Sequence, residues 1–156
     1  MIESIISMEL PAGGHLAIRR NRICPEQETK QCRRISLVSG IHGDELEGQY
    51  ICYETARRVK EHPEYLKGIV DIYPALNPLG IDMASRTVPR LEMDMNRMFP
   101  GDASGDMMER ITAAVVDSII GSDICMDLKH LSQQFDNSGN VFFLCFSDSH
   151  FYFLLF

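Results

Sequence analysis

The stretch Arg33-Arg34-Ile35-Ser36-Leu37-Val38-Ser39-Gly40-Ile41-His42-Gly43-Asp44-Glu45-Leu46-Glu47-Gly48 decides how the chain is read. Its first seven residues form an apolar-rich run that predicts a buried strand ending at Gly40. From Glu45 to about Glu61 the residues Leu46, Tyr50, Ala56 and Val59 fall on one helical face, and Pro63 stands just beyond, so a helix follows the strand directly. Strand, turn and helix in immediate succession are the repeating unit of an α/β fold.

The same alternation continues downstream. Gly68 releases a second strand, Ile69-Val70-Asp71-Ile72-Tyr73, which stops at Pro74. A long irregular stretch, residues 75–104, follows, and connections of that length carry function or disorder. Met108, Ile111, Val115 and Ile119 then recur at helical spacing across 107–120, and Gly121 closes that helix. A third buried strand, Ile124-Cys125-Met126-Asp127-Leu128, completes the series. Upstream, Ile2 to Leu10 and His15 to Ile23 flank the turn formers Pro11-Ala12-Gly13-Gly14 and read as a hairpin. The expected fold is therefore a mixed, largely parallel sheet flanked by helices, with ligands met beyond the carboxyl ends of its strands.

Length and composition set the outer bounds. A chain of 156 residues fits one domain with a substantial core, and 45% hydrophobic with 24% charged residues is ordinary for a globular protein. Fifteen basic against twenty-two acidic residues leave a formal charge of −7, which argues against nucleic acid or an anionic membrane as partner and favours small-molecule chemistry. Five cysteines without C-x-x-C spacing suit reduced thiols, not a disulfide scaffold or a zinc ribbon. The opening residues carry acids where a secretory leader needs positive charge, and no apolar run approaches 18 residues, so a cytoplasmic, unanchored protein is expected.

The first motif with chemistry is His42-Gly43-Asp44-Glu45. An imidazole and a carboxylate three residues apart on a strand-to-helix turn can converge on one cation, and His₂Glu with an open position is a catalytic zinc set. Gly40 and Gly43 flank the pair, where a turn aiming two ligands at one point calls for backbone angles that glycine adopts cheaply. The bland reading of the same spacing is a solvated helix start, where an acid complements the helix dipole. Downstream come Asn77-Pro78-Leu79-Gly80, then Arg86-Thr87-Val88-Pro89 and Arg90, then Asp94-Met95-Asn96-Arg97-Met98-Phe99-Pro100-Gly101. Arginine presents a planar fork that holds a carboxylate bidentately, and asparagine adds an amide donor beside it.

The ordered series G-x-H-G-D-E, N-P-x-G, R-x-x-P, D-x-N-R-x-F-P-G resembles the succinylglutamate desuccinylase and aspartoacylase family, a branch of the zinc carboxypeptidase-like (phosphorylase/hydrolase-like) hydrolases, over residues 36–127. The resemblance implies one zinc per chain, held by His42, Glu45 and a second His that ends a later strand. It assigns Asn96, Arg97 and an arginine shortly before them, Arg86 or else Arg90, to the substrate's carboxylate and polarised carbonyl. The implied reaction is hydrolysis of the amide or ester bond of an N-acyl amino acid or similar carboxylate-bearing substrate by metal-activated water. The other histidines, His15, His62 and His150, lack partners at ligand spacing.

Two departures stand beside the resemblance. The family's second His directly follows a pair matching Asp127-Leu128, where this chain has Lys129, with His130 one position later. A protonated lysine cannot ligate zinc, and one step along a strand turns a side chain to the opposite face, so His130 serves only if the strand ends or bulges there. The family's general base is a later glutamate, and residues 131–156 contain none, so no residue of this chain is assigned that role. Six of the eight phenylalanines crowd into residues 141–156, after the family-like core of about 33–128. The expectation is a single partial catalytic domain, incomplete at its C-terminus, with a divergent tail over 131–156. The alternative function is a catalytically inactive truncated homologue that self-associates as a homo-oligomer or binds carboxylates.

Overall fold

The computed structural model describes residues 1–10, 13–27, 32–89, 91–128, 142–147 and 150–154, the last two segments by their backbone. Seven strands and three helices follow one another as β1 (Ile2–Glu9), β2 (His15–Ile23), β3 (Arg34–Ser39), α1 (Glu47–Glu61), β4 (Ile69–Tyr73), α2 (Pro78–Asp82), α3 (Met107–Ile119), β5 (Ile124–Leu128), β6 (Phe142–Ser147) and β7 (His150–Leu154). All strands join one mixed sheet in the order β1-β2-β4-β3-β5-β6-β7. Parallel pairing is confined to the centre, β4-β3-β5. The flanking pairs are antiparallel, β1–β2 and β6–β7 as hairpins, in which a short turn can only return a strand antiparallel. The phenylalanine-rich tail contributes the hairpin β6–β7, and β6 pairs with β5.

Successive residues of the central strands serve opposite faces. Leu37, Ile72 and Cys52 form one buried cluster on the α1 side, with Ile35, Val70, Met126 and Leu128 packed against it. Val38, Tyr73 and Cys125 belong to the larger cluster on the other face, with Leu16 and Ile18 of β2 and with Met108, Ile111, Val115 and Ile119 of α3. The α3 face is thus the one its periodicity predicts. Its first turn is closed by a capping box, Asp106 accepting from the Met108 and Glu109 amides while Glu109 accepts from the Asp106 amide. Gly121, at φ +82°, ends it.

The α1 face differs from the sequence expectation. Gly48 and Cys52 are the buried positions, with Ala56 packed against their cluster, whereas Leu46 and Tyr50 are 57% and 65% exposed. Small residues win because the helix lies nearly in backbone contact with the sheet. A Cβ on Gly48 would sit 2.2 Å from the Leu128 carbonyl oxygen and 2.3 Å from Ser39 Oγ. The side of α1 with the larger apolar residues, Leu46, Tyr50 and Tyr53, faces outward. No helix among the described residues is long and apolar enough to cross a membrane.

At the amino ends of the parallel strands the α3 face carries a charge cluster. Asp71 is fully buried and accepts two bonds from Arg22, at 2.7 and 2.6 Å. Arg20 and Arg34 each stand 3.8 Å from its Oδ2, and Arg20 also pairs with Glu3. The paired carboxylate holds the Arg22 guanidinium charged despite its partial burial. Arg34 donates to the Ile119 and Ile120 carbonyls at the end of α3, where a cation meets the negative end of the helix dipole. Tyr73 donates to the Ser118 carbonyl at 3.1 Å, so the same cluster fixes the end of α3 to the sheet.

Two expectations follow from burial. Asp71→Ala leaves three guanidiniums without their shared buried carboxylate and should cost about 3–5 kcal/mol in urea unfolding, whereas Glu61→Ala on the exposed side of α1 should cost under about 1 kcal/mol. Burial pushes the Cys52 thiol up to about 12, and burial with the Asp127 charge does the same for Cys125. Both therefore stay protonated and unreactive at pH 8. Alkylation of the folded chain, mapped by peptide mass, should label exposed Cys24 first and reach Cys52 and Cys125 only on unfolding.

Candidate metal and carboxylate site

The carboxyl end of β3 turns sharply at Gly40, whose φ of +70° is a left-handed conformation that only glycine enters without strain. Gly43, the second glycine of the motif, has no positive φ. It is required by space instead, because a Cβ there would lie 1.9 Å from the Gly80 carbonyl carbon. The turn is held against the segment after β4 by paired backbone bonds. Leu76 N donates to Ser39 O at 3.1 Å, Asn77 N to Gly40 O at 2.7 Å, and Gly43 N to Ser85 O at 2.9 Å.

Asn77 works on both sides of this contact. Its Nδ2 donates to the Ile41 carbonyl at 3.3 Å, and its Oδ1 accepts from Gly80 N at 2.9 Å, capping α2. With the side chain buried, these bonds fix the backbone on the two residues before His42. The sequence motif N-P-x-G singled out the position; this clamp on the preceding turn is visible only in three dimensions.

His42 is 2% exposed and has an acid at each ring nitrogen. Its Nδ1 lies 2.7 Å from Glu45 Oε1. Its Nε2 lies 3.2 Å from Asp94 Oδ1 and 3.2 Å from Asn96 Nδ2. Arg86 reaches in from the next loop and donates to Glu45 Oε1 at 3.3 Å, its side chain remaining 56% exposed. Asp94 opens a 3-10 turn, Met95–Arg97, and its Oδ1 accepts from the Asn96 amide at 3.0 Å. That turn is anchored by Met95, whose side chain is wholly buried in the core beside α3. Burial raises the Asp94 carboxyl, but the Asn96 amide, the His42 ring and the Arg86 charge outweigh it and hold it below the usual carboxylate range.

Of the residues singled out in the sequence, His42, Glu45, Arg86 and Asn96 come together. Arg97 stands at the rim, 85% exposed, with its Nε 3.9 Å from Asp94 Oδ2. Arg90 and His130, with Lys129, lie outside the described residues. Leu128, the last described residue before them, is in register with Ser39, three residues ahead of His42. Asp94 was not singled out as a site residue; its place two positions before Asn96 was the available signal.

Among the described residues no group of three or more His, Cys, Asp or Glu side chains is arranged to hold a metal ion. The donor chemistry of the pair nevertheless suits one. An imidazole nitrogen and a carboxylate oxygen held 2.7 Å apart are both donor types that a divalent cation takes. Asp94, at the other ring nitrogen, stands where an outer carboxylate orients a ligating histidine. His42 and Glu45 thus fit as two ligands of such an ion.

Comparison with known proteins bears on the same segments. The model of the succinylglutamate desuccinylase/aspartoacylase catalytic domain matches residues 31–134, more than half of the chain and a little beyond each end of the sequence resemblance. An N-alpha-acetyl-L-2,4-diaminobutyric acid deacetylase from Halomonas elongata is 33% identical over 93 residues, 59% of this chain and 27% of the relative. The structure of a succinylglutamate desuccinylase/aspartoacylase from Rhodobacter sphaeroides is 30% identical with a TM-score of 0.66, covering 79% of this chain and 37% of that one. A metallo-carboxypeptidase from Burkholderia cenocepacia shares the fold alone, at 16% identity and a TM-score of 0.61, over 83% of this chain and 36% of its own. The chain therefore spans between about a quarter and two fifths of the length of these relatives.

The Gly43–Gly80 contact gives a direct check on the site's construction. Gly43→Ala should lower unfolding stability by about 1–3 kcal/mol or more, since the new methyl meets backbone that cannot yield as a side chain would. Gly13→Ala, in open space but at φ +77°, isolates the cost of the backbone angle alone.

Proposed function

The chain belongs to the succinylglutamate desuccinylase/aspartoacylase family, and on that premise we propose that it serves zinc-dependent hydrolysis of the amide or ester bond of an N-acyl amino acid-like substrate. The observation that carries this reading is the convergence of His42 Nδ1 and Glu45 Oε1, 2.7 Å apart in a buried turn at the carboxyl end of the sheet. The deacetylase relative, whose name specifies an N-acetyl amino acid, supports the substrate class.

His42 and Glu45 would hold the ion, with His130 as third ligand. When bound, zinc supplies a Lewis acid for the scissile carbonyl and lowers the pKa of a coordinated water to about 7. The chain's own residues do the rest. Asp94 Oδ1, 3.2 Å from Nε2, keeps the His42 ring turned so that Nδ1 faces Glu45. Arg86, already drawn toward the site by Glu45, is placed to donate to a carbonyl oxygen as it gains negative charge. Asn96 and Arg97, adjacent on one 3-10 turn, offer an amide donor and a guanidinium to the substrate's carboxylate, which orients the scissile bond. A small carboxylate-bearing molecule is the partner these groups suit.

A second reading, carboxylate binding without hydrolysis, is favoured by one observation: Lys129 stands where the resemblance places the second metal-binding His. Metal analysis and a deacylase assay on N-acetyl amino acids separate the two. Hydrolysis predicts close to one zinc per chain, its loss in His42→Ala, and a fall of about 10²–10³-fold in kcat for Arg86→Ala, the cost typical of losing one oxyanion donor. A chain that takes up no zinc and hydrolyses nothing, yet binds N-acetyl amino acids in a titration, supports the second reading and overturns the first.

A further inference from the structure

The amino-terminal half of α1 exposes Leu46, Tyr50, Ile51 and Tyr53 together. Their places are set from below. Gly48 and Cys52 take the sheet side, and Leu46 already has helical backbone angles at the N-cap. Leu46, Tyr50, Tyr53 and Arg57, spaced by three and four, therefore form one stripe on the opposite side. A single exposed apolar residue needs no explanation, but a contiguous group of large ones marks a protein contact.

The stripe carries its own complement. Its spacing, four then three then four, reads the same from either end. A second α1 laid antiparallel thus sets Tyr50 against Tyr53, and Leu46 against the aliphatic stem of Arg57. Charge follows the same direction. Exposed Asp44 and Glu47 stand at the amino end, and exposed Arg57, Arg58 and Lys60 at the carboxyl end. Glu54 and Glu61 answer Arg57 within the helix, at 2.9 and 2.6 Å, and Arg58 lies 3.4 Å from Glu54, so that end keeps a surplus of positive charge. Antiparallel pairing sets the acids of one copy beside the bases of the other, and opposite ends of the two helix dipoles together. Parallel pairing would set like charge on like at both ends.

From this self-matching we propose that the outward face of α1 is covered by a second copy of this chain, docked antiparallel about a twofold axis that passes between Tyr50 and Tyr53. The inference stands apart from the hydrolase reading and uses none of its residues. Tyrosine suits such a face, because its ring supplies contact area while its hydroxyl stays wet at the rim. One helix against one helix is a small contact, in the class that buries under about 1,200 Å² in total, so the dimer exchanges with monomer.

Sedimentation equilibrium on the full chain over a concentration series tests this. The parent should show a reversible monomer–dimer equilibrium. Tyr50→Ser combined with Tyr53→Ser should raise the dissociation constant about 30-fold, the loss typical of one interface hot spot. Both side chains are exposed, so the urea unfolding midpoint of that variant should match the parent's. Charge reversal reads the direction of docking: Glu47→Arg or Arg58→Glu alone should weaken the dimer about 5- to 10-fold, and the two together should restore it. A parent that stays monomeric throughout the series overturns the proposal. Association left unchanged by the tyrosine substitutions also overturns it, because the copies then meet elsewhere. A double reversal that associates no better than the single ones overturns the antiparallel arrangement and the proposal with it.

Discussion

The site depends on two backbones lying closer than side chains allow. Gly43 rests on Gly80 where one methyl would fall inside the carbonyl carbon's radius, and the turn after β3 is thereby pressed onto the loop after β4. The groups on the Nδ1 side of His42 are hung on this contact. Glu45 sits two residues beyond Gly43, Asn77 clasps the turn through the Ile41 carbonyl, and Ser85 accepts from Gly43 one residue before Arg86. Sheet geometry alone puts the ends of β3 and β4 about 4.8 Å apart. The missing side chains convert that neighbourhood into a shared surface on which an imidazole, two carboxylates, an amide and a guanidinium meet.

Burial gives these groups their meaning. On the surface, an H-x-x-E pair is a helix start with solvated ends. Here the ring is nearly sealed from water, so each nitrogen must be answered by protein or by a ligand. Acids stand at both ring nitrogens, with the Asn96 amide beside one of them, and this polar group gathers at the mouth of a parallel sheet, where ligands of such folds are met.

Much of this was legible in the sequence, and the exceptions have physical causes. Ile69–Tyr73 and Ile124–Leu128 were readable to the residue because apolar runs bounded by Gly, Pro or Asp punctuate the chain. The α3 face was readable because its buried residues are large. The α1 face was not, because a helix that packs by close approach buries its smallest residues, and periodicity in Leu and Tyr then points the wrong way. The pair His42 and Glu45 was marked by spacing, but Asp94 was not, since its partner is 52 residues distant in the chain and its place is set by the fold. Gly43 was noted for its conformational freedom, whereas the structure uses its lack of volume.

The ionic cluster around Asp71 and the polar turn around His42 occupy opposite ends of the same three parallel strands. Asp71 is in register with Ser36, and the three residue steps from there to the end of β3, at about 3.3 Å each, put about 10 Å of strand between the cluster and the turn. One end secures the anchoring of α3 and the other gathers the polar groups around His42. Substitutions at the two ends should combine with little interference, within about 0.3–0.5 kcal/mol of simple addition. This separation means that the polar residues around His42 can be exchanged while the framework at the other end keeps its stability.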